Sequence, residues 1–299
     1  MNYLTKITRI LMMGALTLGI ILSSQNIQTV QAAETSTQQT AQTPTYQILV
    51  NRAANCVTVY TKDADGAYTV PVRSFVCSVG REGMETPLGA FQTSDYYTWR
   101  LMVDGSYGQY AIRFNRGILF HSVPYYTQTA NDLEKDQFNL LGAGASLGCV
   151  RMAVSDVKWL YDNCEKGTSV IVYDDAQNPG PLGKPVQMQI NVEHPFAGWD
   201  PTDPAEENPW NTIRPSLYLT QDMGDGVLYV PAGTTVEQLK QYVGLKNVQG
   251  QAYAPQDYIL YINGNYDLNT PGAYRVWITG QDVAGTTVQQ EMILAVVGA

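Results

Sequence analysis

Apolar and polar residues alternate in short runs through most of this chain, as they do in strands with one buried face. Gln47-Ile48-Leu49-Val50 and Val57-Thr58-Val59-Tyr60 read as strands, and the Asp63 to Gly66 turn leads into another from Val70 to Val79. Gly117 to His121 and Ser169 to Tyr173 add two more. The period changes once in this region. Val157, Leu160, Tyr161 and Cys164 fall at i, i+3, i+4 and i+7, which predicts a helix that Gly167 ends. Residues 46–175 are therefore expected to form one mainly β domain with at least one helix packed on it.

Proline then punctuates the chain at 179, 181, 185, 195, 201, 204 and 209, around the acidic run Trp199 to Pro204. Residues 176–212 accordingly read as a stiff, extended linker with few core contacts. Alternation returns in Leu217 to Leu219, Val227 to Val230, Tyr258 to Ile262, Pro271 to Ile278 and Val288 to Val297. Val236, Leu239 and Tyr242 suggest one short helix among them. Residues 213–299 are expected to form a second, smaller β-sandwich.

The amino terminus has another character. Lys6 and Arg9 precede the apolar stretch Ile10 to Leu22, and Val30-Gln31-Ala32 offers the small residues a signal peptidase reads. Residues 1–32 are expected to be a cleaved secretory signal, too short in its apolar part for the ~20 residues of a membrane span. Residues 33–45, rich in Thr and Gln, read as a tether. The whole chain carries −9, and loss of Lys6 and Arg9 would leave −11. Nucleic-acid binding leaves a basic footprint, so that class is excluded. A secreted protein without a membrane span after cleavage is the expectation.

The candidate chemistry centres on Cys149. Cys164 lies on the apolar helix face, while Cys56 and Cys77 sit in strand-like runs, where a buried structural thiol or a disulfide is the ordinary role. Cys149 follows Gly142-Ala143-Gly144-Ala145-Ser146-Leu147-Gly148, small residues that let a substrate backbone approach, and Gly148 permits a sharp turn before the sulfur. A nucleophilic thiol needs a proton acceptor. The chain has two histidines. His194 falls in the proline-rich linker and reads as solvent-exposed, whereas His121 ends a strand and is the candidate base. Arg151, two residues after the sulfur, could hold a carboxylate or the local backbone. No cluster has metal-ligand spacing, so neither metal nor cofactor is expected.

Together these residues resemble the L,D-transpeptidase, or YkuD, catalytic domain. The likeness rests on His121-Ser122, Ser146-Leu147-Gly148-Cys149-Val150-Arg151, Thr86-Pro87-Leu88-Gly89-Ala90-Phe91 and Ser78-Val79-Gly80, and covers residues 46 to 175. Two departures stand out: Leu147 replaces the family's usual second histidine, and the His121 to Cys149 interval is long. The extra length is expected in Pro124 to Leu140, as a loop or lid over the cleft.

The resemblance implies a YkuD-like β-sandwich and acyl transfer on peptidoglycan stem peptides through a Cys149 thioester, forming 3→3 cross-links. His121 would be base and then acid, the Ser122 carbonyl would orient its ring, and the Gly148 and Cys149 N–H groups would hold the oxyanion, with Ser146 and Arg151 beside the substrate. Carbapenem-type β-lactams are implied as inhibitors. An L,D-carboxypeptidase and a catalytically impaired wall-binding protein are the alternatives. The carboxy-terminal part resembles bacterial immunoglobulin-like modules through Pro271-Gly272-Ala273-Tyr274 and Asp282-Val283-Ala284-Gly285.

Overall fold

The structure, a computed structural model, describes residues 43–283 and 285–298. The expected signal and most of the tether lie outside the described residues. Among the described residues, no helix is long and apolar enough to cross a membrane.

The first part is mainly β. Strands β1 (Tyr46–Asn51), β2 (Cys56–Lys62), β3 (Tyr68–Val76) and β4 (Gly89–Gln92) are followed by β5 (Tyr96–Leu101), β6 (Tyr107–Asn115) and β7 (Ile118–Ser122). After a short helix α1 (Lys135–Phe138) come β8 (Val150–Met152), helix α2 (Val154–Asn163) and β9 (Ser169–Tyr173). Two sheets result, ordered β3-β2-β1-β9-β4 and β5-β6-β7-β8. Alternate residues explain why they stack. Ile48, Val50, Val57 and Val59 from the first sheet share one core with Ile112, Phe114 and Phe120 from the second. Val157 and Leu160 of α2, with Cys164 at its C-cap, are predicted from their spacing and close that core.

Residues 176–212 depart from the expectation of an extended linker. Ile190, Ala197 and Trp210 join Tyr125, Leu133, Phe138 and Val154 in a second core. The acidic run is the reason for the docking. Asp200, fully buried, accepts the Val154 N–H at 2.9 Å and so caps the start of α2 from outside. Asn208 donates to the Asp200 and Asp203 carbonyls, both at 2.9 Å, and the Trp210 indole donates to the Phe196 and Trp199 carbonyls. The prolines thus shape a strap that is folded onto the first sheets. His194 is half-buried rather than exposed, stacked on Trp210 with centroids 4.6 Å apart.

Beyond the strap lie β10 (Ser216–Leu219), β11 (Val227–Pro231), α3 (Val236–Lys240), β12 (Val243–Lys246), β13 (Tyr258–Asn263), β14 (Gly272–Asp282) and β15 (Thr287–Val297). They form a β11-β15-β14-β13 sheet and a β10-β12 ladder around a core of Leu228, Val230, Val276, Ile278 and Leu294. Thr235 caps α3 through a reciprocal bond with Gln238.

Candidate active site

Strands β7 and β8 run parallel, with Phe120 opposite Val150, His121 opposite Arg151 and Ser122 opposite Met152. Opposed residues of a parallel pair point to one face, and alternate residues along a strand share it. Phe120, Val150 and Met152 consequently face the core. Leu119, His121, Cys149 and Arg151 all line a cavity of about 320 Å³ on the other face. Met102, Val103 and Asp104, from the turn between β5 and β6, and Leu147 complete its rim.

The turn that presents Cys149 is built from small groups. Gly148 has φ 118°, a conformation L side chains rarely adopt, so the turn requires glycine there. The Ser146 hydroxyl donates to the Cys149 carbonyl at 2.6 Å and accepts the Gly148 N–H at 3.0 Å. Gly148 therefore does not offer a free N–H to an oxyanion, because its donor is committed to Ser146. Buried Thr86, on the loop before β4, accepts from the Gly80 N–H and donates to the Gly148 carbonyl at 2.8 Å. Its motif was visible in the sequence, but this hydrogen-bonding role was not.

His121 is 2% exposed. Burial, with the Arg151 charge second, lowers its pKa to about 3, against the opposing pull of the Ser122 carbonyl and Asp104. Its Nδ1 makes no hydrogen bond. Gly108 on β6 explains how the ring is held instead: a Cβ there would stand 2.7 Å from Nδ1 and 3.0 Å from the His121 Cβ. Nothing in the sequence around Gly108 marks it, since the contact exists only once β6 and β7 pair. The Ser122 hydroxyl points away, accepting from the Gln109 N–H and donating to the Val123 carbonyl.

Cys149 is half-buried, and its Sγ lies 3.8 Å from the Gly117 carbonyl. Burial raises its pKa, while the Leu119 backbone and the Arg151 charge favour the thiolate. At neutral pH both partners are uncharged at rest. Arg151, 7% exposed, bonds to Gln137 Oε1 at 2.8 Å and approaches Asp104 at 4.0 Å.

Cys56, Cys77 and Cys164 are buried and free, so no disulfide joins the four thiols. The Pro124 to Leu140 segment is not a lid: Tyr125, Leu133 and Phe138 bury it in the second core. Among the described residues no group of His, Cys, Asp and Glu could hold a metal ion.

Residues 45–172 match the family of the L,D-transpeptidase catalytic domain, YkuD. Among curated proteins, YciB of Bacillus subtilis (strain 168), which carries the L,D-transpeptidase name, is 39% identical over 54 residues, 18% of this chain and 27% of that protein. The chain thus spans about a quarter of the length of that relative. The solved L,D-transpeptidase from Mycobacterium smegmatis is 20% identical over 44% of this chain and 59% of its own, with a TM-score of 0.36. That from Stackebrandtia nassauensis is 21% identical over 48% of this chain and 63% of its own, with a TM-score of 0.34.

Proposed function

We propose, from the premise that residues 45–172 are a YkuD-type L,D-transpeptidase catalytic domain, that this protein transfers peptidoglycan stem peptides through a thioester on Cys149. The observation that carries the reading is the parallel β7–β8 register, which brings His121 and Cys149 to one cavity face. Cys149 attacks the carbonyl of the third stem residue as its proton passes to His121. The C–N bond to the terminal D-Ala then breaks, and His121 returns the proton to the leaving amine. An amine from a neighbouring stem attacks the thioester, gives its proton to His121 and regenerates the thiol, leaving a 3→3 cross-link.

The neutral resting pair suits this order of events. Imidazolium and thiolate are each costly alone in a buried site, but stabilise one another once the proton has moved. The Cys149 N–H is the oxyanion donor in this reading, since that of Gly148 is held by Ser146. The amino-terminal pattern supports secretion to the cell wall, and the carboxy-terminal sandwich is read as an immunoglobulin-like spacer or adhesion module.

Disaccharide-tetrapeptides incubated with the mature protein should yield cross-linked dimers and free D-Ala by mass spectrometry, and a carbapenem should add covalently to Cys149. Cys149→Ala should abolish both. D-Ala without dimers would replace the transferase with a carboxypeptidase. Neither product nor adduct from the unmutated protein would leave a wall-binding protein with a dead site.

A further inference from the structure

Arg151 is a buried cation with sparse anchorage. Its Nε has no partner, its contact with Asp104 is 4.0 Å, and its bond to the Ala145 carbonyl is 3.4 Å. Among the described residues its one short side-chain hydrogen bond runs from Nη1 to Gln137 Oε1, at 2.8 Å. Gln137 belongs to α1, inside the segment that lengthens the His121 to Cys149 interval. That segment is itself pinned by the strap. Asn139 exchanges two 2.8 Å bonds with the Ile190 backbone, Gln187 donates to the Asn139 carbonyl at 2.7 Å, and Lys135 donates to the Val192 carbonyl at 2.6 Å.

We infer that Gln137 is a positioning residue, which holds the Arg151 guanidinium beside Cys149 and His121 while the strap holds Gln137 in place. The inference rests on Cys149 being the nucleophile and identifies what keeps its cationic neighbour at hand. The charged and titratable groups around Arg151 are Asp104 from the β5–β6 turn, Glu134 ahead of α1, Arg81 from the loop after β3, and Cys149 and His121. Asp104 is the nearest carboxylate and lines the same cavity as Cys149, so a guanidinium released by Gln137 would pair with it and its charge would serve that carboxylate instead of the thiol. Arg151 favours the thiolate and Asp104 opposes it. Anchorage by Gln137 and anchorage by Asp104 therefore predict opposite results when each is removed.

The test is the pH profile of Cys149 alkylation by iodoacetamide in the full chain, with Gln137→Met as an acceptor-free side chain of similar length. Alkylation at pH 7 should slow about three- to tenfold as the profile moves to higher pH, with melting lowered by less than about 3 °C. Gln137→Met should add nothing in an Arg151→Gln background, since both remove one influence. Asp104→Asn should speed alkylation, and this arm stands even if Gln137→Met fails to fold. An unchanged Gln137→Met profile, additive slowing with Arg151→Gln, or slower alkylation in Asp104→Asn would each overturn the inference. Absence of D-Ala release by the unmutated protein would instead sink the transpeptidase reading and leave the alkylation result readable.

Discussion

An imidazole whose pKa sits at about 3 does not hold a proton drawn from a resting thiol at neutral pH. In the proposed mechanism His121 would therefore act only when attack begins, and two outcomes follow. Iodoacetamide alkylation of Cys149 should still be climbing at pH 9, because burial places the thiol above its ordinary value, instead of levelling off near pH 6 as for an ion pair. His121→Ala should then cut D-Ala release at least about a hundredfold while changing alkylation at pH 7 by less than about threefold. A plateau near pH 6, lost in His121→Ala, would restore the ion pair. Gly108 tests the same ring from behind. Alanine there would set a Cβ 2.7 Å from Nδ1, and the displaced imidazole should cost about ten- to a hundredfold in turnover with alkylation unchanged. The sequence disclosed Cys149 and His121 through their local motifs. It gave no sign of Gly108 or Gln137, whose parts depend on neighbours distant along the chain.

At the level of elements, the strap gives the clearest tests. Trp210, 5% exposed, stacks on His194 and anchors two turns with its indole. Trp210→Ala should cost about 3–5 kcal/mol in urea unfolding, and a chain cut after residue 175 should aggregate because Tyr125, Leu133 and Phe138 lose their cover. A soluble, active 46–175 fragment would return the strap to the spacer that its prolines suggest. Strap docking also carries a pH signature. Burial raises the Asp200 pKa to about 6, and burial with the Asp200 charge raises that of Asp156 to about 7. At these two carboxyls the folded protein binds more protons than the unfolded chain from about pH 4 up to those values, which lowers stability as pH rises through that window; His121, with its lowered pKa, opposes them in part below about pH 6.5. The urea midpoint should be lower at pH 8 than at pH 5, and Asp156→Asn should flatten the difference; an unaltered slope would exclude this pair as its source. Strands β1, β2, β3, β7 and β9 and helix α2 were legible because their burial repeats with the period of their own backbone, whereas β5 and β6 were not read from the pattern. The strap has no such period, and its burial comes from single side chains meeting groups tens of residues away.

Across the whole molecule, Arg73 of β3 bridges the first sheet and the carboxy-terminal one. The Arg73 guanidinium lies 5.4 Å from the Trp159 ring and 6.0 Å from Trp277, and pairs with Glu291 at 3.2 Å. Arg73→Ala should remove about 1–2 kcal/mol of docking and enlarge the radius measured by solution scattering, while turnover stays intact. An unchanged radius would show that other contacts hold the two parts together. The alternation of β14 and β15 announced a second sandwich, but no local pattern could announce the partner of its Glu291. The four unpaired thiols carry a further consequence, for the protein's durability. Burial raises the pKa of all four, so none rests as the thiolate on which peroxide acts. Cys149 alone is accessible, and the buried sulfurs are poorly placed to resolve its sulfenic acid as a disulfide. On the proposed function, the protein should survive dilute oxidant while idle and be lost fastest while turning over, when the Cys149 thiolate forms.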